Sequence, residues 1–286
     1  MLKRTFQVFL ILALFLWSAM LTYKYNVRTL SVANREIVSK EPGNSVPVVN
    51  IEKKTLLEYY AELPDSALPF SRGLKSVKEL ALSFDACPTS GMNRFNKDIA
   101  NTLLQTRTPA TIFLSGLWVK EDSDATRLLA SDTLIELGNH SFYHPHLTHL
   151  PEAKMRQELQ RTQDIISRLT RKTPFLFRAP YGEYNDTLIT VAKQLGLITV
   201  QFSVESGDPD TTFTTARLTK WVTSQARNGS IIIMHINNRG WHTAEALPTI
   251  IANLRREGYR LVKVSDLMRD VREQSYQKTV AGTAAK

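Results

Sequence analysis

Leu80-Ala-Leu-Ser-Phe-Asp85-Ala-Cys-Pro88 is an apolar run that stops on a carboxylate and then on a proline. The run has the length of a strand buried on both faces, and Pro88 cannot continue a sheet ladder. The same grammar recurs downstream. Apolar runs end at His140 in Leu137-Gly-Asn-His140, at Arg178 in Phe175-Leu-Phe-Arg178, at Glu205 and Asp208 in Val204-Glu-Ser-Gly-Asp208, and at His235 in Ile231-Ile-Ile-Met-His235. Further strand-like runs lie at Ala110–Leu114, Leu134–Leu137, Ile198–Val204 and Tyr259–Val264. Helical spacing fills the gaps at Asn96–Gln105, Ser123–Leu129, Pro151–Leu169, Asp186–Leu195, Thr214–Ala226 and Thr243–Arg256, with Gly196, Gly229 and Gly258 as stops. About seven strands alternating with helices predict a parallel α/β fold. An open sheet concentrates its site at one switch point, whereas here the polar clusters cap at least five strands. The expectation is therefore a distorted (β/α) barrel with those clusters on one rim.

Outward from this core the chain becomes simpler. Residues 76–270 hold the barrel, and 24–75, with Glu41-Pro-Gly-Asn and Pro64 and Pro69, read as a spacer. Leu56–Leu63 has the pattern of a short helix. Residues 271–286 are polar and rich in small side chains, which predicts a disordered tail. Residues 1–23 carry Lys3 and Arg4 ahead of an apolar stretch from Phe6 to Tyr23, about the length that crosses a bilayer as a helix. Ser18-Ala-Met20 is a poor cleavage site, so an anchor helix is expected before a signal peptide. The barrel would then face the periplasm or the cell exterior, or be secreted if the segment is cleaved. Cys87 is the single cysteine, which excludes an internal disulfide. The net charge of +9 suits anionic polymers or an anionic membrane face. Its lysines and arginines are scattered, without the aromatic interleaving of a nucleic-acid surface, so no nucleic-acid partner is expected.

The strand-end residues suggest a hydrolase assisted by a metal. His140 and His144 are four apart, a spacing at which two imidazoles can hold one divalent ion. Asp85 is placed to act as general base toward a water activated by that ion. Arg178 can orient a carboxylate and keep it ionised, and Asp208 is expected as the partner of Arg178. His235, after the strongest strand signal in the chain, is placed to act as general acid. Trp241, just beyond it, either stacks on a sugar ring or staples the next helix.

Together these segments resemble the polysaccharide deacetylase family, the NodB-homology carbohydrate esterases, from about Leu80 to Leu267. Ser83-Phe-Asp85-Ala-Cys-Pro88 corresponds to a motif usually written TFDDGP, His140-Ser-Phe-Tyr-His144-Pro145 to the metal motif, and Arg178-Ala-Pro-Tyr181 to the third. Ser203-Val-Glu-Ser-Gly-Asp208 and Ile233-Met-His235 supply the fourth and fifth. The resemblance implies a barrel that hydrolyses N-acetyl groups of an N-acetylated glycan. It implies Asp85 as base, His235 as acid, and zinc, or cobalt, nickel or iron, on His140 and His144. It also implies the Tyr181 backbone N–H as oxyanion donor and Ile233 in an apolar wall for the acetyl methyl. Two departures stand out. Ala86 occupies the position of a usual third ligand, an aspartate, and Cys87 replaces a glycine. Cys87 either fills space as a small buried residue or lends a thiolate, and Asp85 could itself turn to coordinate. Two alternatives to the deacetylase follow: a glycan-binding protein with weakened catalysis, and an amidase acting on small non-sugar amides.

Overall fold

A computed structural model describes residues 54–88 and 95–284. Every residue of β1 (Glu79–Ala86) and of β2 (Ala110–Leu114) is buried, as strands covered on both faces must be. With β3 (Ile135–Asn139), β4 (Leu176–Phe177), β5 (Ile198–Thr199), β6 (Val204–Glu205) and β7 (Ile231–His235) they form one sheet in the order β5-β4-β3-β2-β1-β7-β6, and β8 (Arg260–Val262) pairs with the start of β1. All pairings are parallel. The sheet curls into a half-barrel, in keeping with the distorted barrel expected from the alternation. The anchor helix expected in residues 1–23 lies outside the described residues.

The helices begin where polar side chains can take up their free N–H groups. Thr55 and Glu58 form a reciprocal capping box on α1 (Leu56–Glu62). Asn96 caps α2 (Lys97–Gln105), Ser115 caps α3 (Gly116–Glu121), and Asp122 caps α4 (Ser123–Ser131). The longest crossover helix, α5 (Glu152–Thr170), is followed by α6 (Asp186–Gln194), capped by Asn185, and α7 (Thr215–Gln225), capped by Thr214. Then come α8 (Thr243–Arg256) and α9 (Val264–Ala284). The apolar faces of α2, α7 and α8 close over β1 and β7 through Ile99, Leu103, Leu218, Val222, Leu247 and Ile250, all buried.

Three expectations need correction. The run Ile198–Val204 is not one strand: β5 stops at Thr199 and β6 starts at Val204. Between them the chain changes partner, since the Val200 N–H donates to Phe177 while the Ser203 N–H donates to Ile231. Residues 54–75 are not a spacer. Phe70 bridges to Val200 and Arg72 to Ser230, so this segment spans the open side of the sheet, and Tyr60, Leu68 and Phe70 are buried. Nor is the segment after Asp270 a disordered tail through 284, because α9 continues through it. The Ser275 and Thr279 hydroxyls donate to the carbonyls of Val271 and Ser275 one turn back.

Candidate active site

Register sets the rim. Ala86, Leu114, Asn139, Phe177 and Thr199 are matched partners across β1 to β5. The residues that immediately follow include Cys87, His140 and Arg178, so all three emerge at one level. Asp85 is matched to His235 across β1 and β7. A cavity of about 300 Å³ opens there, lined by Asp85, Cys87, His140, His144, Tyr181, Ile233 and His235 among others.

Arg178 is buried and bonded on both terminal nitrogens. Nη1 donates to Oδ1 of Asp85 at 2.9 Å and Nη2 to the Ser83 hydroxyl at 2.8 Å. Its guanidinium lies 4.1 Å from the centre of the Phe113 ring. Gly138 is what lets Phe113 lie there, because a Cβ at that position would sit 2.4 Å from the ring. Burial by itself would raise the Asp85 carboxyl. The positive groups of His140, Arg178 and His235 outweigh it and hold Asp85 below the ordinary carboxylate range.

Nδ1 of His140 lies 2.8 Å from the Arg178 carbonyl oxygen, which can only accept, so this nitrogen carries the proton. Nε2 therefore presents its lone pair to the cavity when the ring is neutral. It stands 3.6 Å from Oδ2 of Asp85 and 3.6 Å from Sγ of Cys87. His144 reaches the same point from a left-handed turn (φ 60°) whose N–H is held by the Ser141 hydroxyl. Donor atoms of Cys87, His140 and His144 all lie within 4.8 Å of one another. Burial would push the Cys87 thiol up, but contacts with His140, His144 and His235 hold it well below the usual thiol value. Two imidazoles and a thiol are the donor chemistry of zinc or cobalt, so these residues fit the expected ion.

Asp208 is the clear difference from expectation. It is not the partner of Arg178, whose terminal nitrogens are taken by Asp85 and Ser83. Gly207, at φ +84°, turns the chain after β6 so that the Asp208 carboxylate faces β7. There it accepts from the His235 backbone N–H (2.7 Å), the His235 ring Nδ1 (2.9 Å), the Thr243 hydroxyl (2.8 Å) and the Ser206 hydroxyl (3.0 Å). Burial would lower the His235 imidazole, but Asp208 first and Cys87 after it lift it to about 10. Tyr181 also has a left-handed backbone (φ 59°), and its half-exposed ring stacks on His146 at 4.0 Å. Ile233 lines the cavity. Trp241 does not: its side chain is exposed beside the rim, although its backbone N–H donates to the Asp208 carbonyl.

Several supporting residues were missed in the sequence. Glu158, on α5, accepts the N–H groups of Phe142 and Tyr143 and so fixes the histidine loop. Asn139 receives the Ser141 N–H on its side chain, and Asn237 donates to the Cys87 carbonyl. Asn139 and Asn237 stand beside motif residues and could have been suspected for that reason. Glu158 is separated from its partners by a whole loop and could not.

The chain matches the family described as polysaccharide deacetylase over residues 73–200. A peptidoglycan-N-acetylglucosamine deacetylase of Bacillus cereus is 28% identical over 248 residues, covering 81% of this chain and 86% of that protein. A family 4 carbohydrate esterase from Streptomyces lividans is 33% identical with a TM-score of 0.57, covering 64% of this chain and 90% of the other. A CE4 family pseudoenzyme from Bacillus anthracis is 27% identical with a TM-score of 0.64, covering 71% and 69% of the two chains.

Proposed function

The chain belongs to the polysaccharide deacetylase family, and from that premise we propose that it hydrolyses N-acetyl groups on an N-acetylated polysaccharide of the cell envelope. One observation carries this reading. Asp85 and His235 are matched neighbours on β1 and β7, each fixed by its own partner, on a cavity that also holds two imidazoles.

In this mechanism Asp85 removes the proton of the attacking water. Arg178 occupies Oδ1 and leaves Oδ2 turned toward His140 and the cavity. His235 spends Nδ1 on Asp208, so Nε2 delivers the proton to the departing amine. The Tyr181 N–H faces the developing oxyanion, and Ile233 packs against the acetyl methyl. A divalent ion held by His140 and His144, zinc before cobalt, nickel or iron, would polarise the acetamide carbonyl and acidify water.

Peptidoglycan is the first substrate to test, since the Bacillus cereus relative is named for it. The Phe6–Tyr23 stretch is proposed to tether the barrel to the membrane on the envelope side. The net charge of +9 favours approach to anionic envelope polymers. A second reading, a glycan-binding protein with weakened catalysis, is favoured by Ala86 and by the likeness to a pseudoenzyme. Acetate release from peptidoglycan and from N-acetylglucosamine oligomers decides between them. Asp85→Asn should lower turnover by about a hundredfold or more while cation binding persists. Near-normal acetate release in that variant would remove Asp85 as the base, and glycan binding without any release by the unaltered protein would favour the second reading.

A further inference from the structure

We propose that Cys87, as its thiolate, is the third protein ligand of the cation at this site, in place of the carboxylate that Ala86 lacks. The inference rests on the proposed function only in placing a cation between His140 and His144. Distance carries it. A tetrahedral ion bonded at about 2.3 Å to sulfur and about 2.05 Å to an imidazole nitrogen holds the two donors about 3.6 Å apart. Sγ of Cys87 and Nε2 of His140 stand 3.6 Å apart. A thiol hydrogen-bonded to an imidazole would give a similar separation for two residues. It would not require a third donor, yet His144 brings a nitrogen within 4.8 Å of both.

Backbone position agrees with this assignment. Successive side chains of a strand point to opposite sides, so Asp85 and Cys87 share one side and Ala86 takes the other. Ala86 is wholly buried in the apolar core with Phe84 and Leu114, whereas Asp85 and Cys87 line the cavity. The ligands are also held in advance. The Cys87 carbonyl is bound by the Asn237 side chain, and the His140 N–H by the Leu114 carbonyl. Two neutral imidazoles with one thiolate carry the same total charge as two imidazoles with one carboxylate, so the ion keeps its net positive charge. Sulfur shifts selectivity toward zinc and cobalt and away from magnesium, calcium and manganese. Asp85, tied to Arg178, then stays out of coordination and available as a base.

Cobalt(II) titration of the full chain tests the assignment, because Cys87 is the single cysteine and any thiolate signal must come from it. The expected result is one bound equivalent with a thiolate-to-cobalt charge-transfer band in the near ultraviolet. Cys87→Ser should lose the band and bind cobalt about tenfold or more weakly. A wild-type cobalt complex without the band overturns the assignment, however well the variant folds. So does a Cys87 that becomes acetylated on incubation with substrate, which would make it a nucleophile. Acetate release measured on the same samples separates the two ideas. The band without acetate release keeps the ligand and removes the deacetylase reading, and acetate release by a cobalt form without the band does the reverse.

Discussion

His235 takes its character first from one carboxylate. Asp208 accepts both its ring Nδ1–H and its backbone N–H, and against the cost of burial it acts with the nearby Cys87 to lift the imidazole from an ordinary 6.5 to about 10. Asp208→Asn should move the alkaline limb of kcat/KM from near pH 10 down toward the ordinary imidazole range, since that limb reports the acid of the free enzyme. A pH–rate profile checks this, and an unmoved limb would mean that His235 is not the acid. Linkage gives a second readout with a definite sign. A pKa raised on folding stabilises fully below about 6.5, and the contribution is lost as pH rises through about 10. The gap in urea midpoint between wild type and Asp208→Asn should therefore be widest near pH 6 and narrowest above pH 10. Gly138 acts at one remove. Its missing Cβ makes room for Phe113, which underlies the guanidinium holding Asp85. Gly138→Ala should cost about 1–3 kcal/mol. A Phe113→Leu background should recover about 1 kcal/mol or more of it in a double-mutant cycle, and simple additivity would contradict this account.

Among the elements, the turn after β3 depends on α5 more than on its own sequence. Glu158 satisfies two consecutive N–H groups in the segment between His140 and His144. Glu158→Ala leaves the buried Phe142 N–H unpaired, at about 1–3 kcal/mol, and gives up the Tyr143 N–H of a more exposed residue at smaller cost. Cobalt affinity should fall with it, because His144 loses its fixed turn. Unchanged affinity would show that the loop holds itself. This partnership marks the boundary of what could be read from sequence. Ala110–Leu114 and Thr243–Arg256 occupy the spans that periodicity assigned, since strand and helix patterns are local and their caps are local too. The six-residue α3 was too short to show a period, and the break between β5 and β6 is made by a change of partner strand. The partner of Asp208 depended on one glycine turn. Cys87 and His140 are 53 residues apart in sequence, and only strand register brings them together.

At the scale of the whole molecule, the curl of the sheet leaves two edges, and the chain ahead of β1, around Phe70 and Arg72, lies between them as a strap. Phe70 donates its N–H to Thr199 and accepts from Gln201, while the Gly73 N–H donates to the Gly229 carbonyl near the start of β7. The Phe70 ring packs edge-on to Tyr60, whose hydroxyl donates to the Met268 carbonyl on α9. One buried cluster thus ties α1, the strap and α9 to the foot of the barrel. The strap also bears on the site, because Phe202 follows Gln201 directly, lines the cavity and faces the Arg178 guanidinium at 5.8 Å. Phe70→Ala should cost about 3–5 kcal/mol, as the loss of a buried aromatic ring does. Its particular signature is local. Amide exchange should quicken at Gln201, whose N–H is held by the strap, more than at Leu82 in the central strand. KM for the glycan should rise by a larger factor than kcat falls, since a wall of the cavity loosens while Asp85 and His235 keep their partners. Loss of stability with uniform exchange and an unchanged KM would show that the strap is only packing.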